Sequence, residues 1–426
     1  MKVLLNSYTG IGAYFILRFL KEKHSVDYYQ MSKDCLNILS GIVPSPLITK
    51  PDYSKYDLSL FDITGKASLA EESSKVTPTM GDGKIASDLE DDRLFGIRVM
   101  EESKILVPPY EVFDDIEKAA NFVRKTKKKY VFKPYGGQDQ KANTTYVSSN
   151  YKDLLEYMSK LSEFAKDSTF LLQEFIEGGT EVSTEAYFNG QEFFAVNHTL
   201  EEKKLMNDNI GPATGCSGNL VWFCTEGRES KIFKEGLLKF KEFLSLSDYR
   251  GMVDLNSIVL QNGELYGLEW TPRFGYDATV TSFSLFNKGD LVNFLHAIAC
   301  GETPKPASFK EDYFAASVRV SIPPYPSEIK GQHPQGVPIQ GINEDNIHKY
   351  YLWDAMMQDG QLVTSGEAYG CVTCPVAKGV SCNAAFANVY NLIAELKIPD
   401  MQYRTDMAQM CKNRFNSLER MGWLRP

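Results

Sequence analysis

Residues 266–275 read YGLEWTPRFG. An apolar run holds one carboxylate, Glu269, between Leu268 and Trp270, and passes at once into Thr271-Pro272-Arg273-Phe274-Gly275. A carboxylate in apolar surroundings is costly unless a cation, an arginine or a metal meets it. Either the segment is a hairpin strand whose acid faces solvent, or it is a strand end that offers a magnesium ligand, with a basic residue beside it to hold phosphate.

The stretch upstream, RGMVDLNSIVLQNGELYGLEWTP, supplies the other arm of a hairpin with Asn262-Gly263 at its bend. Asp254 and Glu269 then stand on the two arms and can share one sheet face. Two carboxylates on one face repel unless a cation lies between them. Magnesium suits that place, because it takes one or two carboxylates and completes its shell with substrate phosphate oxygens.

Three further stretches fit a nucleotide site. In VFKPYGG, Lys133 ends an apolar strand before two glycines, so an ammonium and backbone amides could meet phosphate together; a surface lysine before a turn is the equal alternative. The lysine is expected at an exposed strand end, where it would add little to folding. In FLLQEFIEGGTEVS, backbone groups of Glu174, Phe175 and Ile176 could bond an adenine edge while Glu181 reaches a ribose hydroxyl, unless this is simply a strand leaving the core. The loop NDNIGPATGCSG carries Asp208, Gly211, Pro212, Thr214 and Gly215 as substrate-binding candidates, since small residues let backbone amides approach an anion closely. At the N-terminus, TGIG follows a short apolar strand, and Gly10 and Gly12 are a weak phosphate-loop candidate.

In this order, strand-lysine-glycines, Glu174 to Glu181, GPATG loop and carboxylate hairpin, the chain resembles the ATP-grasp ligases, and within them the phosphoribosylamine–glycine ligase (glycinamide ribonucleotide synthetase) family. IGPATGCSG is similar to that family's TGPNTGGMG, and LEWTPRFGYDA to its EFNxRFGDPE at Glu269, Arg273, Phe274, Gly275 and Asp277. LVTSGEAYGCVTCPVAKG resembles LVTxGGRVLxVxAxG, and YRTDMA resembles YRRDIG, so the likeness runs over roughly residues 80–410. It implies a purine-biosynthetic, carboxylate–amine ligase that uses ATP and Mg2+ and forms an amide through an acyl phosphate. The residues implied are Lys133 and Arg273 as catalytic groups compensating phosphate charge, Lys133, Lys141, Glu174, Phe175, Ile176 and Glu181 for ATP, and Asp254, Glu269 and Thr271 for metal. The departures are as specific. TGIGAYF stands where the family has GGREHA, KPYGGQDQKAN where it has KADGLAAGKG, EEKKLMNDNIGP where it has DHKRVGDGDTGP, and Thr271 where it has a metal-binding Asn. They bear on the amine and amino-acid pockets and leave open a ligase joining other substrates, or a protein that binds nucleotide without catalysis.

Length and composition agree with several packed units. The chain has 426 residues, 43% hydrophobic and 12% aromatic, and a net charge of −9 that gives no electrostatic reason to expect nucleic acid or an anionic membrane as partner. RKTKKK at 124–129 reads as a solvated helix end. The eight cysteines include one CxxC, Cys371 to Cys374, better read as buried thiols on a strand than as a zinc site. Small-molecule substrates and a cytoplasmic setting are expected. The fold class expected is α/β and α+β multidomain: an N-terminal α/β domain over 1–104, an ATP-grasp lid over 105–185, an ATP-grasp core over 186–310 and a C-terminal mixed domain over 311–426.

Overall fold

The computed structural model describes residues 1–135, 145–161, 169–224, 230–287, 291–305, 313–327, 329 and 331–425. Lys141, and the Gly136-Gly137 pair after the Lys133 strand, lie outside the described residues.

The N-terminal unit is a four-stranded parallel sheet in the order Ser25–Gln30, Lys2–Ser7, Leu58–Phe61, Thr79–Met80. Its strands are covered on both faces, so they read as continuous apolar runs; Val3, Leu4, Leu5, Leu58 and Leu60 are all fully buried. The first strand leads through a turn into the short helices Ile11–Tyr14 and Phe15–Lys21. The mixed-charge stretch after the sheet's last strand forms two helices, Lys84–Asp91 and Arg93–Glu102. Asp92 between them is extended (φ −97°, ψ 90°), and its carboxylate accepts a hydrogen bond from the Phe95 amide at 2.8 Å. An N-cap aspartate satisfies one of the donors that a helix start leaves unpaired, so the break is built into the sequence.

A second, antiparallel sheet runs Tyr110–Phe113, Thr169–Glu174, Tyr130–Tyr135, Tyr146–Val147. The helices Ile116–Thr126 and Tyr151–Leu161 pack on it through Ala119, Val123, Leu154 and Met158, against Tyr130, Phe132 and Phe170. This small core is separate from the main one.

The third sheet is the largest. Its order is Leu265–Thr271, Gly251–Val259, Thr180–Phe188, Phe193–Lys204, Ala213–Phe223, Phe314–Val318, Cys371–Gly379, Val320–Ser321, with Tyr350–Leu352 also paired to Cys371–Gly379. A cut at 185 falls inside the strand Thr180–Phe188, and the sheet runs on past 310 into Phe314–Val318. We therefore propose that the core unit begins at Thr180 and shares its sheet with the C-terminal part. The CxxC thiols, Cys371 and Cys374, are buried on Cys371–Gly379. Among the described residues no helix is long and apolar enough to cross a membrane.

Candidate active site

Strand alternation gives the large sheet two unlike faces. Val182, Ala186, Leu200, Leu220, Val253 and Leu255 belong to the main core. On the opposite face the cross-strand register sets Asp254 between Glu185 and Thr271, and Asn256 between Ser183 and Glu269. The adjoining strand continues the polar face with Asn197 opposite Glu185 and Thr199 opposite Ser183. The hairpin expected from the sequence is present, and Asp254 and Glu269 share its face.

Next to this face lies a cleft of about 570 Å³, walled by Glu90, Arg93 and Ile97 of the N-terminal helices, Pro134 of the second sheet, and Glu269, Thr271 and Arg273. Glu269 is 45% exposed to it and stands 3.9 Å from the Arg93 guanidinium. Burial works against its charge, but Lys203, Lys133 and Arg93 hold Glu269 below the usual glutamate range. Lys203 donates to Glu181 at 2.7 Å, and Asn256 donates to the same oxygen at 2.9 Å. Against the cost of burial, Lys203 and Arg414 hold the Glu181 carboxyl down to about 2. Burial likewise opposes the Lys203 ammonium, yet Glu181, Glu269 and Glu201 keep it above the ordinary lysine range.

Lys133 corrects the expectation. It lies within the strand Tyr130–Tyr135, pairs in register with Leu171, is only 6% exposed, and donates to the Leu268 carbonyl at 3.3 Å. Burial lowers its pKa to about 8, with Arg93 and Lys203 adding to the fall and Glu269 opposing it. Lys133 is thus a desolvated ammonium bonded to the backbone beside Glu269. Arg273 is tethered as well: its Nε donates to Glu90 at 2.9 Å and one terminal nitrogen to the Phe274 carbonyl at 3.2 Å. Its guanidinium reaches the cleft wall while clamping the N-terminal unit to the core.

Deeper in the sheet face, acids outnumber cations. Glu185 accepts from Asn197 at 2.8 Å and from Thr199 at 3.3 Å. Burial, with Glu201 nearby, pushes Glu185 up to about 7 despite the Asn197 bond; burial, with Asp277 and Glu181 adding, also pushes Glu201 up to about 7 despite Lys203. Asp254 is raised by burial and then by Glu185, Glu201 and Glu269, and its Oδ1 is a buried acceptor with no hydrogen-bond partner. An unpaired buried carboxylate oxygen near three other carboxylates asks for a cation or a proton. Oxygen donors from Asp254, Glu269 and Thr271 have the chemistry magnesium selects, so the residues present fit that ion. Among the described residues no three His, Cys, Asp or Glu side chains converge to hold a metal by themselves.

The other candidates divide. The amides of Glu174 and Phe175 are already given to the carbonyls of Pro109 (2.7 Å) and Lys129 (3.1 Å), so neither is left as a donor for an adenine edge. The Glu174 side chain pairs with Lys128 at 2.5 Å. Asp208 is exposed, and its amide donates to Asp406 at 2.9 Å, docking this turn on the C-terminal segment rather than in the cleft. The GPATG stretch is the tip of a hairpin between Phe193–Lys204 and Ala213–Phe223, with Gly211 and Gly215 at φ +86° and +78°. Arg319 anchors its base by donating to the Thr214 carbonyl at 3.0 Å while pairing with Asp277.

The N-terminal turn carries the largest surprise. The fully buried Asp62, just past the strand Leu58–Phe61, accepts from the Ser7 hydroxyl at 2.5 Å, and the amides of Gly12 and Tyr8 favour its charge, while its Oδ1 has no hydrogen-bond partner. Gly10 donates its amide to Ser7 Oγ at 3.0 Å. A Cβ on Gly12 would stand 2.1 Å from Asp62 Oδ2, so only glycine allows this approach. Burial pushes the Asp62 carboxyl up to about 6, opposed by these bonds and by Arg273. The amides of Gly10 and Gly12, expected for an incoming anion, are committed to the chain's own groups.

Sequence reasoning missed Arg93, Glu185 and Asp62. Glu185 had a signal: it continues the every-second-residue series Glu181, Ser183. Arg93 and Asp62 had none, because a charged helix start and an aspartate after a strand both read as surface.

Comparison with known proteins bears on the family and the fold. The family described as phosphoribosylglycinamide synthetase, ATP-grasp (A) domain, matches residues 91–279. A phosphoribosylamine–glycine ligase from Caldanaerobacter subterraneus is 25% identical over 337 residues, covering 77% of this chain and 78% of the relative, and one from Clostridium acetobutylicum is 24% identical over 342 residues, covering 77% and 78%. The crystal structure of the Thermotoga maritima phosphoribosylamine–glycine ligase superposes with a TM-score of 0.75 at 21% identity, over 95% of this chain and 100% of that one. A biotin carboxylase from Campylobacter jejuni, solved as a β-γ-ATP complex, gives 0.63 at 13% identity over 100% and 97%. At such identities the structural likeness speaks for the fold. Residues 91–279 thus match an ATP-grasp domain of the phosphoribosylglycinamide synthetase type, and the fold over nearly the whole chain is that of the Thermotoga ligase.

Proposed function

We propose that the chain is an ADP-forming carbon–nitrogen ligase that joins a carboxylic acid to an amine, most like phosphoribosylamine–glycine ligase, with purine biosynthesis as its setting. The observation that carries this is Glu269 on the cleft wall with Lys133, from a different sheet, buried beside it. A carboxylate oxygen of the acid attacks the γ-phosphorus of ATP, ADP leaves, and an acyl phosphate forms. The amine nitrogen then attacks the acyl carbon and phosphate leaves. Neither step needs a nucleophile from the protein, whose task is placement and charge compensation.

In this reading Lys133 and Arg93 meet phosphate oxygens, Lys133 by exchanging the Leu268 carbonyl for phosphate, and an ammonium already stripped of water makes a stronger charged hydrogen bond. Arg273 holds the wall through Glu90. Glu181, kept ionised by Lys203, is an acceptor for a ribose hydroxyl, and the Ile176 backbone with the carbonyls of Glu174 and Phe175 is left for the adenine edge. Asp254, Glu269 and Thr271 would hold Mg2+, which would supply charge neutralisation across the phosphates. Substrates are small molecules: an amino acid, and an amine.

Asp62 favours a second reading of the amine. A carboxylate already occupying the Ser7–Gly12 turn leaves no welcome there for a phosphate dianion, so an amine lacking phosphate fits this end of the site. The experiment is a screen of amino acids against amines that follows ATP-dependent phosphate release. Turnover with glycine and phosphoribosylamine supports the family reaction; equal turnover with unphosphorylated amines supports the second reading; no release with any pair overturns both.

A further inference from the structure

The C-terminal helix Met407–Arg420 packs on the strands Thr180–Phe188, Phe193–Lys204 and Ala213–Phe223. Phe415 sets its ring edge-on to Trp222, with 5.1 Å between centroids, and to Phe314 at 5.2 Å, and the Thr180 hydroxyl donates to Ser417 at 3.3 Å. One side chain of this helix does more than pack. Thr180–Phe188 and Phe193–Lys204 pair from Phe188 opposite Phe193 as far as Ser183 opposite Thr199, and there the ladder between them stops. Carrying the register on would set Glu181 opposite Glu201, yet the carbonyls of both residues accept from the Arg414 guanidinium. One terminal nitrogen donates to the Glu201 carbonyl at 2.6 Å and to the Glu202 carboxylate at 2.9 Å, and the other donates to the Glu181 carbonyl. Carbonyls left over where a ladder ends need donors, and a rigid planar fork of N–H groups serves two strands and a carboxylate at once. The same two strand ends carry a pair of the nucleotide site: Lys203, two residues beyond Glu201, donates to the Glu181 carboxylate at 2.7 Å. Glu181 and Lys203 therefore depend on the spacing of two strands that no longer pair with each other.

We propose that Arg414 is a positioning residue for ATP: from the C-terminal helix it fixes the spacing of the strands that carry Glu181 and Lys203, and so sets the Glu181 carboxylate where a ribose hydroxyl can donate to it. The proposal rests on the nucleotide reading above, in which Glu181 meets the ribose, and adds to it a residue that lies outside the matched segment 91–279.

The test measures the Kd of ATP and of dideoxy-ATP, which keeps the base and the phosphates but lacks both ribose hydroxyls, on the full chain. Wild type should bind ATP the more tightly. Arg414→Lys should weaken ATP roughly tenfold, the scale of losing a hydrogen bond to a charged acceptor, and leave dideoxy-ATP within about twofold of wild type. Glu181→Gln should give the same split, and the double variant should be no worse than either single one, because both act on one contact. Phe415→Leu, which loosens the same helix through its rings, should lower the melting temperature and keep the wild-type ratio of the two affinities. Should Arg414→Lys not fold, Glu202→Gln, which frees one arm of the guanidinium, must shift that ratio in the same direction. Equal losses for the two nucleotides in Arg414→Lys, additive losses in the double variant, or a changed ratio in Phe415→Leu would each overturn the proposal and leave the nucleotide reading intact. A wild-type chain that binds no ATP would overturn both.

Discussion

At the strand Leu265–Thr271 charged groups are assembled around open space, whereas at the turn Tyr8–Gly12 the groups that could bind an anion are already used. Glu269 is 45% exposed to a cleft walled by Arg93, and Lys203 and Lys133 nearby join Arg93 in holding its charge. The amides of Gly10 and Gly12, by contrast, are committed to Ser7 and to the fully buried Asp62. Both regions look like anion sites in the sequence, one by its acid-base pair and one by its glycines. What separates them is an accounting of donors and acceptors, which a glycine pattern alone does not contain.

The comparison breaks most readily at Glu269. Glu269→Gln should lower ATP-dependent turnover by about a hundredfold or more, the scale of losing a charged group that acts on the transferring phosphoryl, while the melting temperature moves little because the side chain faces the cleft. Turnover near the wild-type rate would remove Glu269 from the chemistry.

Lys133→Ala comes next. Loss of a charge-assisted bond to phosphate should cost ATP affinity roughly tenfold to a hundredfold. The variant should melt no lower than wild type, because the ammonium it removes is disfavoured by burial; calorimetry beside ATP titration separates the two. The pH dependence has a defined sign. With Lys133 at about 8 in the folded chain and near the ordinary lysine value when unfolded, the unfolded chain binds more protons between those values, so stability rises with pH across that window. Over the same rise the free enzyme loses the charge that meets phosphate, so kcat/KM falls above pH about 8. Lys133→Arg should flatten the fall.

At the other end, Gly12→Ala should lower stability by about 1–3 kcal/mol, since its Cβ displaces a bonded carboxylate and leaves it unpaired. Asp62 is an acid raised to about 6, so its charge detracts from stability once pH rises from the ordinary aspartate range through 6. Asp62→Asn should abolish that decline, as melting curves between pH 4 and 7 would show, and should lower the KM of any phosphorylated amine that turns over. A KM that stays put would mean that the amine's phosphate never approaches this turn. The smallest effect is expected at Asp208: Asp208→Ala should change turnover less than about twofold, because an exposed side chain far from the chemistry contributes little.

Much of the core was legible in the sequence. The Asn262-Gly263 bend marks the hairpin, but its register carries only as far as Ser257 opposite Gly267; a one-residue bulge beyond it, which no local signal announces, brings Glu269 and Thr271 onto the face of Asp254 and Asn256. The period of two marks Glu185 as part of that face, although only Glu181 was read there. Lys133 was misjudged because exposure depends on what covers a strand, and here Leu268 and Arg93 come from segments distant in the chain. Asp62 was illegible for a related reason. Its partners lie some fifty residues upstream, Ser7 at a separation of 55, and nothing local distinguishes an aspartate that fills an anion turn from one that faces water. The break at Asp92 could have been read, since an aspartate three residues before Phe95 in a charged helix is a cap signal.

The central claim is that the cleft around Lys133 and Glu269 transfers phosphoryl from ATP to a carboxylate. The most direct measurement supplies a pool of amino acids labelled with 18O in their carboxylates, with ATP, Mg2+ and hydroxylamine, an amine small enough to reach an acyl carbon whatever the shape of the amine pocket. The account predicts a hydroxamate and released phosphate that carries one 18O for each hydroxamate formed, and neither product from Glu269→Gln. Phosphate released without label, or no ATP-dependent release at all, would contradict it.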